Sequence, residues 1–190
     1  MRKLKISVSP ATFILFLSMI ATTPLPQLCA CLLAASIHEI GHIAAAKLLS
    51  IDLSHMKLDV LGARLTTAGR LCSYPSLICL CLAGPFINVS FFLLTLPFCE
   101  VSEWIMQFCL SNLSLCLLNL IPIEGFDGGR IVHGFLCIIF KLNTAEKICS
   151  FLSFCSLLCM WMFSVWLILR TSSSLTLFVF SCCLFGMLFV

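Results

Sequence analysis

Charged residues cut the chain into five charge-free stretches, residues 6–38, 71–99, 104–123, 148–169 and 171–190. Each is long enough to cross a hydrocarbon core, which takes about 20 apolar residues. The first is too long for one helix, and Pro24 with Pro26 divides it into spans near 7–23 and 28–49. Further helices are expected near 76–98, 104–121, 148–169 and 173–190, with an interruption from Pro122 to Gly129 and a short helical continuation at 131–140. Residues 50–75 are more polar. They alternate along His55-Met56-Lys57-Leu58-Asp59-Val60 and reach Gly62, which predicts a small hairpin or re-entrant element. Helices alone satisfy every backbone amide within one apolar segment, so the expected fold class is all-α: a polytopic membrane bundle of about six transmembrane helices.

Composition agrees with that pattern. The chain is 61% hydrophobic and 10% charged, whereas a soluble domain carries roughly 25% charged residues. A net charge of +3 spread over termini and short loops offers no basic face, which argues against a nucleic-acid partner. The 14 cysteines form no C-x-x-C pair and mostly sit inside apolar runs, where they act as small hydrophobes. Residues 7–23 follow Arg2, Lys3 and Lys5, and Ala21-Thr22-Thr23 is a poor cleavage site, so the segment reads as an uncleaved anchor. With the amino terminus inside, six crossings place Lys47, Lys57, Arg64, Arg70, Arg130, Lys141 and Lys147 with those three on the cytoplasmic face, and only Arg170 outside. The expectation is one membrane domain over 1–190 with cytoplasmic termini and a cytoplasmic hairpin.

His38-Glu39-Ile40-Gly41-His42 is an H-E-x-x-H pattern inside the second span. Histidines four apart share a helix face, so both imidazoles can reach one Zn²⁺, and Glu39 is left beside it to act on water. Random placement of these residue types yields the pattern on the order of 0.002 times per chain. A carboxylate near mid-membrane costs about 2.5–3.5 kcal/mol on insertion scales, which argues that Glu39 has a function. A catalytic zinc takes three protein ligands. Asp127 is the preferred third, because it lies in Asn119-Leu120-Ile121-Pro122-Ile123-Glu124-Gly125-Phe126-Asp127-Gly128-Gly129-Arg130. There Pro122 breaks a helix and glycines permit the irregular backbone that membranes tolerate only around a cavity. Zn²⁺, two neutral histidines, Asp127 and Glu39 also sum to zero charge. Glu124 remains the rival ligand, and an N-cap role for Asp127 remains open. For Asp127 to meet the histidines, the second and fourth spans are expected to pack side by side, and Ala34, Ala35, Gly41, Ala45 and Ala46 permit close approach.

The H-E-x-x-H span and the N-x-x-P-x-x-x-x-D-G-G stretch together resemble the site-2 protease family of intramembrane zinc metalloproteases. Ala83-Gly84-Pro85-Phe86-Ile87-Asn88 is similar to that family's A-G-P-x-x-N segment. The resemblance covers about residues 28–140. It implies zinc held by His38, His42 and Asp127, with Glu39 as catalytic base. It further implies that Asn119 and the unwound stretch around Pro122 position substrate or the developing oxyanion. It points to a membrane-tethered protein substrate such as a sigma or anti-sigma factor, to a bacterial cell membrane, and to a small form similar to the sporulation branch. A membrane regulatory subunit is compatible with it. For Asn88 the alternatives of a helix bridge and a functional role stay open. Other function classes weighed are a metal-binding membrane transporter, a di-iron membrane enzyme and an inactive protease-like scaffold. The few polar residues on the last two spans argue against the first, four histidines are too few for the second, and retention of Glu39 argues against the third.

Overall fold

The computed structural model describes residues 5–8, 17, 19–20, 23–51, 53–59, 62–67, 73–171 and 175–188. The expected 7–23 span lies almost wholly outside these residues. Six described helices follow in order: α1 (Leu25–Leu48), α2 (Tyr74–Thr95), α3 (Glu103–Asn119), α4 (Asp127–Ile139), α5 (Leu142–Thr171) and α6 (Leu175–Leu188). Proline sets the first turn of α1 and of α2, where its missing N–H is not needed. Ser73 and Ser102 cap α2 and α3 by accepting from the N–H groups of Ser76 and Ile105. The α1 helix ends in a Schellman turn. Ser50 takes a positive φ of 53°, its N–H donates to Lys47 O at 3.2 Å, and Ile51 N–H donates to Ala46 O at 2.8 Å.

Three described segments are long and apolar enough to cross a membrane: Leu25–Leu48, Tyr74–Phe98 and Leu142–Arg170. The molecule is thus a helical membrane protein. The shorter α3 stops at Asn119, with Leu120 as its C-cap, because Pro122 disfavours the helical region for Ile121 just ahead of it. The α4 helix starts at Asp127, four residues before the start expected from the charge pattern.

In the packing, α1, α2 and α3 contact one another pairwise, α4 lies against α2, α5 against α4, and α6 against α5. Alanine lets the first three approach closely, with Ala30 and Ala34 fully buried beside Phe108. A second apolar cluster of Ile123, Phe126, Leu157, Met160 and Leu184 joins α5 and α6 to the α3–α4 loop. Large side chains such as Leu93, Leu94 and Phe86 point outward, as lipid permits.

The expected hairpin is present as β2 (Leu53–Asp59) and β3 (Gly62–Thr67), paired antiparallel with Met56 opposite Leu65 and a register shift between Leu53 and His55. The sequence pattern did not foresee β1 (Lys5–Val8), which pairs in parallel with β2 so that Ile6 lies opposite Met56. The resulting sheet has the order β1-β2-β3.

Candidate metal centre

His38 and His42 lie one turn apart on α1, both buried, with their rings edge to face at 4.7 Å. Asp127, the first residue of α4, is 6% exposed and turned toward them. His38 Nε2, His42 Nε2 and Asp127 Oδ2 form a triangle whose three edges are each 3.1 Å. Ligands held tetrahedrally at about 2.0–2.1 Å from zinc lie about 3.3–3.4 Å apart, so the three atoms need to part by only about 0.2–0.3 Å.

The proton inventory also fits a cation. His42 Nδ1 donates to Leu80 O at 2.9 Å, and a carbonyl can only accept, so Nδ1 carries the proton. Nε2 of a neutral His42 then presents a lone pair toward Asp127, whose ionised carboxylate also has only lone pairs to offer. Lone pairs converging in a buried, low-dielectric place repel one another unless something positive sits among them. Among the described residues this is the one group of three His, Cys, Asp or Glu side chains close enough to share a metal.

The local sequence explains how each of these side chains is held. Gly41 of α1 faces α2 so closely that a β-carbon there would lie 2.8 Å from Ala83 O. Gly84 of α2 backs the two imidazoles, since a β-carbon on it would come within 2.5 Å of His42 Nε2 and 2.7 Å of His38 Nε2. Asp127 is presented by the loop of residues 120–126. That loop folds over the amino end of α4, where β-carbons on Gly128 and Gly129 would strike the carbonyls of Leu120 and Ile123. Gly125 supplies a φ of 105° within the turn. Ser153 of α5 anchors the loop by accepting from Glu124 N–H at 2.8 Å and donating to Pro122 O at 3.4 Å. At the first turn of α4, Asp127 also meets the positive end of the helix dipole.

The structure therefore gathers His38, His42 and Asp127, with Glu39 half-buried on α1 beside them. Glu124 is exposed on the loop and stands apart from that group. The N-cap position belongs to Phe126, not to Asp127. Asn119 donates to Leu115 O of its own helix, and Pro122 engages Ser153. The expected side-by-side packing of α1 and α3 is present, but it is not what delivers Asp127. Asp127 starts a separate helix that packs on α2, so α2 is the shared neighbour, and Gly84 on it is the residue over which the ligands meet. The sequence reading missed the roles of Gly84, of the Leu80 carbonyl and of Ser153. The only local signal was the A-G-P run itself.

A helical membrane fold enclosing a buried His–His–Asp triangle defines a membrane protein with a candidate metal centre. No family model matches the chain, and no curated protein is similar to it in sequence. Solved structures are: the chain resembles the Site-2 Protease from Methanocaldococcus jannaschii with a TM-score of 0.73 and 21% identity, over 99% of this chain and 93% of that one. The fold is that of a site-2 protease.

Proposed function

We propose that this protein is an intramembrane zinc metalloprotease of the site-2 protease family, with His38, His42 and Asp127 as metal ligands and Glu39 as the catalytic base. The observation that carries the reading is the buried triangle of two imidazole nitrogens and a carboxylate oxygen with 3.1 Å edges, built from an H-E-x-x-H helix and a D-G-G helix start. Zinc bound there would lower the pKa of a water molecule toward about 7 and polarise the scissile carbonyl. The residues of the chain supply the rest. His42 is fixed in one tautomer by Leu80 O. Glu39 follows His38 in sequence without joining the ligand triangle, which leaves its carboxylate to take a proton from the attacking water and return it to the leaving amine.

The substrate class is a membrane-tethered protein, cleaved after local unwinding, because the amides of an intact helix are hydrogen-bonded and shielded. Asn119 and the stretch around Pro122 are proposed to position it. The resemblance adds two finer readings, a sigma or anti-sigma factor as substrate and a bacterial cell membrane as location, and the placement of basic residues adds cytoplasmic termini. The test is zinc content and cleavage of a tethered helix by purified wild type and Glu39→Gln. One zinc per chain in both, with cleavage by wild type alone, is expected. Cleavage by Glu39→Gln near the wild-type rate would remove the mechanism.

A further inference from the structure

The two histidines of the triad are not equally supported. His42 Nδ1 has the Leu80 carbonyl as acceptor, while His38 Nδ1 is buried with no hydrogen-bond partner among the described residues. If Nε2 faces a metal, Nδ1 must carry the proton, and such a proton is normally given to an outer acceptor that fixes the ring. The direction of His38 Nδ1 follows from its other ring atoms. Nε2 points to His42 and Asp127, and Cε1 lies against Gly84. A five-membered ring then sends Nδ1 away from the triad, along the seam between α1 and α2.

That seam has a readable register. Leu80 lies opposite His42 and Gly84 opposite His38. The helices run antiparallel there, so the next turn sets Asn88 opposite Ala34. Side chains lean toward the amino end of their own helix, so His38 leans toward Ala34 while Asn88 leans toward Gly84. Both side chains are therefore placed on the same buried stretch of the α1–α2 seam. Asn88 is 0% exposed, and both Oδ1 and Nδ2 lack partners. Asn112 also has an unpartnered buried Oδ1, but its Nδ2 is spent on Phe108 O, toward the far end of α3. Orphaned polar atoms buried about one turn apart along the seam of two facing helices are the setting in which proteins hold buried water.

We propose that a buried water molecule accepts from His38 Nδ1–H and donates to Asn88 Oδ1, making Asn88 the positioning residue that orients the His38 ring. The proposal rests on the zinc reading of the triad. It gives His38 through water what His42 receives directly from Leu80, and it accounts for a carboxamide buried in an otherwise apolar helix.

The experiment measures the zinc dissociation constant by chelator competition and the melting temperature of the metal-free protein. Asn88→Leu is expected to weaken zinc by about 10–100-fold. Its metal-free melting temperature should stay near wild type, since an apolar side chain then replaces a buried amide together with the water it holds. Asn88→Ser, whose hydroxyl leaves space for a second water, should hold zinc within a few fold of wild type. If Asn88→Leu does not fold, the smaller Asn88→Val serves in its place. Unchanged zinc affinity in the apolar variant overturns the proposal, whether or not melting falls, because a mere bridge between helices would affect melting alone. A wild type that takes up no zinc sinks the zinc reading and this proposal with it, and the wild-type titration separates that failure from the first.

Discussion

The proposed function gives each side chain at the triad a separable task, so single substitutions should part binding from chemistry. Glu39→Gln should keep zinc and lower cleavage by at least about 10²–10⁴-fold, the usual contribution of a positioned base. Asp127→Asn should lose both zinc and cleavage, whereas Glu124→Gln should retain zinc near wild type, because Glu124 lies exposed on the loop. Metal analysis beside a cleavage assay distinguishes these outcomes, and zinc lost from Glu124→Gln but kept by Asp127→Asn would reverse the ligand choice. Gly84→Ala is the more severe test. Its methyl would sit 2.5 Å from His42 Nε2, so the variant should fold and yet bind no zinc, as read by metal analysis and melting. His38, His42 and Asp127 could be read from sequence because a four-residue helical spacing and a carboxylate among glycines are local signals. For Gly84 the A-G-P run was the only local signal, and it does not state the requirement, which is a contact across two helices.

Among the elements, the 120–126 loop sets the geometry, and its tolerance should be narrow. Gly128→Ala and Gly129→Ala each drive a methyl into a backbone carbonyl. Each should cost about 1–3 kcal/mol or more, seen as a lowered unfolding midpoint together with lost zinc. Ser153→Ala, which strands Glu124 N–H, should cost about 1–3 kcal/mol without touching the ligands themselves. Helix breaks at Pro24 and Pro122 were legible because proline acts within its own neighbourhood. The start of α4 was placed late because Gly125, Gly128 and Gly129 extend the interruption that Pro122 begins, whereas the helix already starts at Asp127. With β1 on one side of β2 and β3 on the other, the open edges of the described sheet are those of β1 and β3.

For the molecule as a whole, the pattern of apolar runs gave the bundle, and charge placement gave an orientation that labelling can check. With native thiols masked, cysteines introduced near 55–65 and 142–146 should react with an impermeant reagent from one side and those near 100–103 from the other. Labelling of all three regions from a single side would refute the orientation. The β1–β2 pairing supports the same arrangement, since it ties Lys5–Val8 to the hairpin that follows α1. That tie was invisible in the sequence because a parallel pair has no turn to announce it and only tertiary structure brings the strands together. It also imposes an order on biosynthesis. Ile6 leaves the ribosome well before Met56, its partner, and at about 5–20 residues per second the interval is on the order of seconds. Throughout that wait the first strand of the nascent chain has open backbone donors and acceptors. The sheet can close only after α1 and β2 have been synthesised, so a chain stalled before Asp59 would expose an unpaired edge to whatever strand it met first.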